Sequence, residues 1–264
     1  MPTHPTAVID ARATVAGDAD IGPYVVIDGP VRVGRRTRIA AHATLMGWTE
    51  IGADNIVHSG AVIGDTPQDL AFTGAESYVR IGDRNVIREQ VQIHRGTKPG
   101  SATVIGNDNY LMATSHVGHN CRIGDHVLLT NGAMLGGYVH VEDQAIISGN
   151  CTVHQFVRIG RLAILRGLSR TSRDVPPFCV MDGTHTVRAI NRVGLRRAGF
   201  TAPQIRALQN AFSRLFRRAV NLRKAIAELE TEPVSTEVRY LIDFIRAAKR
   251  GVCFGPRAGG IAEC

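Results

Sequence analysis

Every sixth residue of this chain is aliphatic across more than half its length. From Ile9 the phase runs through Val15, Ile21, Ile27 and Val33 to Ile63, returns at Ile81, Ile87 and Ile93, and continues from Ile105 to Leu165. Of the 27 positions in this phase between 9 and 165, only Asp69, Ala75 and Pro99 break it. A lone helix repeats at 3.6 residues and a simple strand at 2, so neither explains a period of six. Three short strands per turn of a triangular coil do explain it, with each aliphatic residue pointing into a prism and each coil covering the next. Small or β-branched residues, or Asn, stand two positions earlier (Ala13, Thr103, Ser115, Cys121, Cys151), and glycine often follows, as in Ile105-Gly106. These small residues and glycines are expected to turn the corners. Counting the 27 sixes as coil gives nine coils, about 43 Å of stacked parallel strands.

The three failures mark loops. "TPQDLAFTGAESY" (66–78) leaves the prism and re-enters in register, and "TKPGSA" (97–102) is a shorter excursion. Loops on a rigid scaffold are favoured places for function. After "DVPPF" (174–178) the period stops, which predicts a β-solenoid over 1–187 and an α-helical domain over 188–264. Residues 201–218 carry Ile205, Leu208, Phe212, Leu215 and Phe216 at helical spacing, with Thr201 as N-cap and Pro203 in the first turn. A second helix is expected over 221–230 and a third after Ser235, and the tail "CFGPRAGGIAEC" reads as loose.

The net charge of +8 lies in the helical part, where residues 188–250 hold 14 Lys or Arg against 5 Asp or Glu. Such a surface is either a solvated basic face or a dock for something acidic. No aromatic platform or binding motif accompanies it, which argues against nucleic acid. Five scattered cysteines fit reduced thiols in a cytoplasm rather than a disulfide framework. No secretory signal and no stable membrane insertion are expected.

"SHVGHNCRIG" (115–124) could be a metal triplet, a catalytic site or packing. The phase sends Cys121 inward and leaves His116 and His119 outward or at a corner. A Cys ligand would have to face the same way as the histidines, so the metal reading weakens. Residues eighteen apart stack on neighbouring coils, which places Gly136 and Gly137 one coil above His119, roofed by His154 and Gln155. A base, a polar roof and exposed backbone N–H groups on one concave wall are what acyl transfer requires.

The stretches "IGDRNVIREQVQIHRGT" (81–97), "SHVGHNCRIG", "VHQF" (153–156), "DVPPF" and "GLRRAGF" (194–200) resemble the UDP-N-acetylglucosamine O-acyltransferases of lipid A biosynthesis, over nearly the whole chain. The resemblance implies a left-handed parallel β-helix of hexapeptide repeats with a C-terminal α-helical domain. It also implies a homotrimer with clefts between prisms, which moves an acyl group from acyl carrier protein to the 3-hydroxyl of a UDP-sugar. No cofactor is implied beyond the phosphopantetheine of the carrier protein. By the same resemblance His119 is the general base and the Gly137 N–H faces the thioester oxyanion. Gln68, Asp69 and His116 hold the sugar, while His154, Gln155, Asn191 and Arg197 surround the nucleotide or pantetheine. Gly167 limits acyl-chain length, and the basic helices meet the acidic carrier protein.

The chain departs from that family where Ala71, Asn120, Tyr138 and Ala198 replace a frequent lysine, aspartate, histidine and arginine, and where Arg166 puts a charge beside Gly167. Competing readings are transfer to a 3-amino sugar, a zinc-dependent lyase resembling γ-class carbonic anhydrase through His94, His116 and His119, and a non-catalytic rod.

Overall fold

The computed structural model describes residues 3–218 and 221–255. The chain winds into a left-handed parallel β-helix with three faces. Face A holds nine strands from Val8–Ile9 to Arg170–Thr171, and face B eight from Thr14–Val15 to Arg158–Ile159. Face C runs from Asp20–Ile21 to Cys179–Met181 and ends with the antiparallel strand Val187–Ile190. The aliphatic phase forms the core: Leu45, Ile63, Ile87, Ile93, Leu111, Val117, Leu129, Leu135 and Leu165 have no exposed surface.

The strand register shows how the excursions fit. Ordinary neighbours pair eighteen residues apart, as His116 with Met134. Across 66–78 the offset becomes thirty, Val62 with Gln92, and across 97–102 twenty-four, Gln92 with His116. The two loops therefore consume three of the 27 sixes, and the nine-coil count that included them was reached on the wrong residues. The ninth level of face A comes instead from Arg170–Thr171, beyond the phase that ends at Leu165.

Glycine does not turn the corners as expected. The left-handed residue stands three places after the aliphatic one and is mostly not glycine: Arg36, Asp54, Arg84, Asp108, Asn120, His126, Tyr138 and Asn150 have φ between 53° and 60°. The cost of that conformation is offset by a regular bond to the previous coil, as from the N–H of His126 to the Asn107 carbonyl and of Tyr138 to the His119 carbonyl. The glycines directly after the aliphatic residue are needed for space. A Cβ on Gly118 would lie 2.8 Å from the Gly136 carbonyl carbon, and one on Gly136 2.8 Å from the Gln155 nitrogen. The inward Asn55, Asn85 and Asn109 form a buried ladder in which each side-chain oxygen accepts the next asparagine's N–H, 2.9 Å at each step.

The helical region caps the last coils. Helix α1 spans Arg192–Arg197 behind an Asn191 cap, α2 spans Ala202–Phe212 behind a Thr201 capping box, and a π-helical turn, Ser213–Arg218, follows. Helices α3 (Leu222–Leu229) and α4 (Thr236–Arg246, capped by Ser235) complete it. The spacing of apolar residues anticipated all but the short α1. Arg158 joins the two parts: it bonds the buried Asp174 at 2.9 Å and the Phe244 carbonyl at 2.8 Å, and lies 4.2 Å over the Phe244 ring. Strand Val187–Ile190 crosses the expected 187/188 boundary, so the β-region ends at Ile190. The start of the tail is not loose either, since Val252 bridges to Asp174 and Phe254 to Thr186. Residues 256–264, which complete the expected tail, lie outside the described residues.

Candidate active site

A cleft of about 390 Å³ opens where face A turns into face B, lined by Gln68, His94, His116, His119, Gly136, Gly137, His154 and Gln155 among others. Its floor follows from the coil register: His119, Gly137 and Gln155 occupy the same corner place on three successive coils. A Cβ on Gly137 would stand 2.3 Å from Cε1 of His119, so the gap holding the imidazole exists only because residue 137 is glycine. Gly137 is buried, yet its N–H donates to no described group. Buried backbone donors are nearly always paired, so this one is available to a ligand.

His119 is 9% exposed and its Nδ1 lies 3.1 Å from the side-chain oxygen of Asn120. The Thr97 N–H donates to the same oxygen at 3.0 Å. A backbone N–H can only donate, which identifies the accepting end of the amide and makes Nδ1 the protonated nitrogen. The lone pair of the neutral ring is thereby left on Nε2. Asp69 places a carboxylate oxygen 3.8 Å from that atom.

Two further imidazoles follow the same logic. His116 Nδ1 meets the Leu135 carbonyl at 3.2 Å and His94 Nδ1 the Thr66 carbonyl at 2.8 Å. A carbonyl can only accept, so each Nδ1 carries a proton, and each Nε2 is buried with no hydrogen-bond partner among the described residues. Burial, with the neighbouring His94, pushes the His116 pKa below its ordinary value and keeps the ring neutral. Three imidazoles, those of His94, His116 and His119, thus line one cleft. Among the described residues no three His, Cys, Asp or Glu are placed to hold a metal ion. Cys121 points inward onto the Gly136 carbonyl, and burial pushes its thiol pKa up to about 12.

The loop 66–78 reaches the cleft because it is clamped at two points. His94 holds Thr66, and the Arg95 guanidinium lies between the rings of Trp48 and Phe72, 5.7 and 5.3 Å from their centres. Sequence reasoning offered His94 only to the metal reading and missed Arg95 altogether. The signal was there in "HRGT" immediately before the second excursion. Met134 and Thr152 also line the cleft, and both follow from the eighteen-residue stack above His116.

A family profile described as UDP-N-acetylglucosamine O-acyltransferase, domain 2, matches residues 174–253, and a bacterial transferase hexapeptide profile matches 102–137. The chain is 44% identical over 245 residues to the acyl-[acyl-carrier-protein]–UDP-N-acetylglucosamine O-acyltransferase of Gloeothece citriformis, covering 92% of this chain and 89% of the relative. Its likeness to the enzyme of the same name from Syntrophobacter fumaroxidans is 42% over 256 residues, 96% of this chain and 99% of the relative. The chain belongs to the UDP-N-acetylglucosamine O-acyltransferase family. Solved structures of such acyltransferases from Francisella novicida (35% identical, 96% of this chain and 94% of that one) and Bacteroides fragilis (39%, 94% and 98%) superpose with a TM-score of 0.91 each.

Within this family member, three residues expected at the site stay outside the cleft of their own chain. Gly167 is exposed on the corner between faces C and A, one face away from His119. Asn191 is a buried helix cap whose amide donates to the Leu162 carbonyl and accepts from the Gly194 N–H. Arg197 is exposed in the last turn of α1. The departures find places too. Tyr138 does not line the cleft: its ring stacks on Phe156 and its hydroxyl lies 3.0 Å from Thr97 Oγ1. Arg166 pairs with Asp182 at 3.1 Å.

Proposed function

We propose that this chain transfers an acyl group from the phosphopantetheine thioester of acyl carrier protein to the 3-hydroxyl of UDP-N-acetylglucosamine, the first step of lipid A biosynthesis. The observation that carries the chemistry is the pairing of His119, its Nδ1 turned to the Asn120 oxygen, with a glycine gap whose buried N–H has no partner among the described residues. In this reading Nε2 takes the hydroxyl proton as the sugar oxygen attacks the thioester carbonyl. The Gly137 N–H receives the oxyanion of the tetrahedral intermediate. Collapse breaks the C–S bond, and the imidazolium returns its proton to the leaving thiolate. Gln68, Asp69 and His116 orient the sugar, and His154 and Gln155 meet the nucleotide or pantetheine. The acyl group arrives on the carrier protein, so the chain requires no cofactor of its own.

The reading includes a homotrimer. Beyond the first two strands, which carry Asp20 and Arg38, the outward column of face C is apolar (Ile56, Val86, Tyr110, Leu128, Ile146, Ile164), whereas face B presents Arg32, Glu50, Arg80, Arg122 and Arg158. A column of that kind fits burial against neighbouring copies packed around a three-fold axis. A neighbouring prism would then bring its own Gly167 corner and Arg197 to this cleft. Arg192, Arg196 and Arg197 of α1 are in no ion pair among the described residues, which suits an acidic carrier protein. Among the described residues no helix is long and apolar enough to cross a membrane, and we place the enzyme in the cytoplasm, where carrier-protein thioesters are made.

The test is a mass-spectrometric assay of a ladder of acyl-carrier thioesters against UDP-N-acetylglucosamine and its 3-amino analogue. A 3-O-acyl product that forms only with both substrates present supports the proposal. Product with the amine alone, or none at all, refutes it.

A further inference from the structure

The excursion 97–102 looks like an idle six-residue detour, yet both its ends hold the same residue. At the start, the Thr97 N–H and hydroxyl donate to the Asn120 side-chain oxygen at 3.0 and 2.9 Å. Just past the end, Thr103 Oγ1 accepts the Asn120 backbone N–H at 2.8 Å and donates to the His94 carbonyl at 2.6 Å. The detour closes on itself through Ser101, whose hydroxyl accepts the Lys98 N–H at 3.0 Å and donates to the Lys98 carbonyl at 2.7 Å. Gly96 lets it close, since a Cβ there would lie 2.4 Å from Ser101 Oγ. Asn120 is therefore gripped by side chain and backbone at once, at a left-handed corner with φ of 60°.

We infer that the excursion is a bracket that sets the tautomer of His119, with Thr97 and Thr103 as its positioning residues. This rests on the reading of His119 as the base. An amide has one accepting and one donating end. If Asn120 turned over, its NH2 would face Nδ1, the ring proton would move to Nε2, and the base would lose the lone pair it needs. A carboxylate has no such wrong end, so an aspartate here would need no bracket. This chain carries an amide and holds its orientation from Thr97. Tyr138 closes the far side: its hydroxyl reaches Thr97 Oγ1 at 3.0 Å and its ring meets the His119 ring edge-on at 5.3 Å. The other titratable groups facing the base are Asp69, at 3.8 Å from Nε2, and the neutral His116.

The experiment is steady-state kinetics of the full-length enzyme as Thr97→Val, Thr97→Ser, Asn120→Asp and the Thr97→Val/Asn120→Asp pair, with His119→Ala as reference. Thr97→Val keeps the backbone N–H bond to Asn120 and removes the hydroxyl bond, and is expected to lower kcat about five- to tenfold, that one hydrogen bond's worth, with KM for both substrates within about twofold. Thr97→Ser restores kcat. In the Asn120→Asp background Thr97→Val has no further effect on kcat, because a symmetric acceptor cannot be misoriented. A Thr97→Val enzyme with wild-type kcat overturns the bracket, as does an equal loss in the Asn120→Asp background. If His119→Ala keeps full activity, the base reading itself falls, a result distinct from either. Nitrogen-15 spectra of histidine-labelled enzyme give a readout that a merely structural role would not move. Nδ1 of His119 should appear as the protonated nitrogen in wild type, with a mixed population in Thr97→Val.

Discussion

On the corner between faces B and C, the N–H groups of Ala53, Asp83, Asn107 and Asp125 each reach a side-chain oxygen one coil up, from Asp83, Asn107, Asp125 and Asp143 at 2.6 to 2.9 Å. On the corner between faces A and B, the equivalent places in successive coils are His119, Gly137 and Gln155, and no acid arrives from above. The backbone turn is the same at both. The glycine before each turn is the same as well, but it makes room for different things. At Gly106 and Gly124 a Cβ would strike the carboxylates of Asp125 and Asp143, at 2.3 and 2.2 Å, whereas at Gly118 and Gly136 it would strike only backbone. The first corner uses its repeated donors for stability, about 1 kcal/mol per bond. The second leaves a donor open beside an imidazole, where an oxyanion contact is worth about 3 kcal/mol of barrier. A repeat fold thus produces a site by omitting, at one corner, the side chain that closes the corner between faces B and C.

The largest expected effect comes from removing the base. His119→Ala should lower kcat about a thousandfold with unchanged thermal unfolding, read by thioester consumption and calorimetry. Loosening the loop that overhangs the open corner should come next. Arg95→Met removes the charge held between Trp48 and Phe72, and is expected to raise KM for the sugar about tenfold with kcat within about threefold. On the closed corner, Asp125→Ala strips the acceptor from the N–H and amide of Asn107. It should cost about 1–2 kcal/mol in denaturant unfolding and leave kcat untouched.

The smallest effect is a pH dependence. Burial lowers the pKa of His116 from its ordinary 6.5, so the unfolded chain binds the proton first. The stability this ring contributes is full above 6.5 and is lost as pH falls toward the lower folded value. His140 and His185 act in the same direction, also through burial. Denaturant midpoints between pH 8 and 5 should fall for the wild type, and less steeply for His116→Gln.

The prism was legible because burial repeats: Ile63, Leu111 and Leu135 obey one rule, and a rule that holds at 24 of 27 positions needs no structure to be seen. The corners were read less well. Glycine's freedom of φ suggested itself, but Asn120, His126 and Tyr138 take the left-handed place because each turn is held by bonds to neighbouring coils. The stack of His119, Gly137 and Gln155 followed from counting by eighteen. The grip of Thr97 on Asn120 did not, because it spans an excursion that breaks the count. Gly167, Asn191 and Arg197 could be placed only by resemblance, since no periodicity within one chain brings them to the cleft.

The most direct test of the open-corner account is the acyl-transfer rate of Gly137→Ala, measured beside Asp125→Ala. The added methyl would occupy the space of the His119 ring and displace it. The account predicts a fall in kcat of at least about a hundredfold with little change in unfolding for Gly137→Ala, and the opposite pattern for Asp125→Ala. A Gly137→Ala enzyme that turns over at the wild-type rate would contradict it.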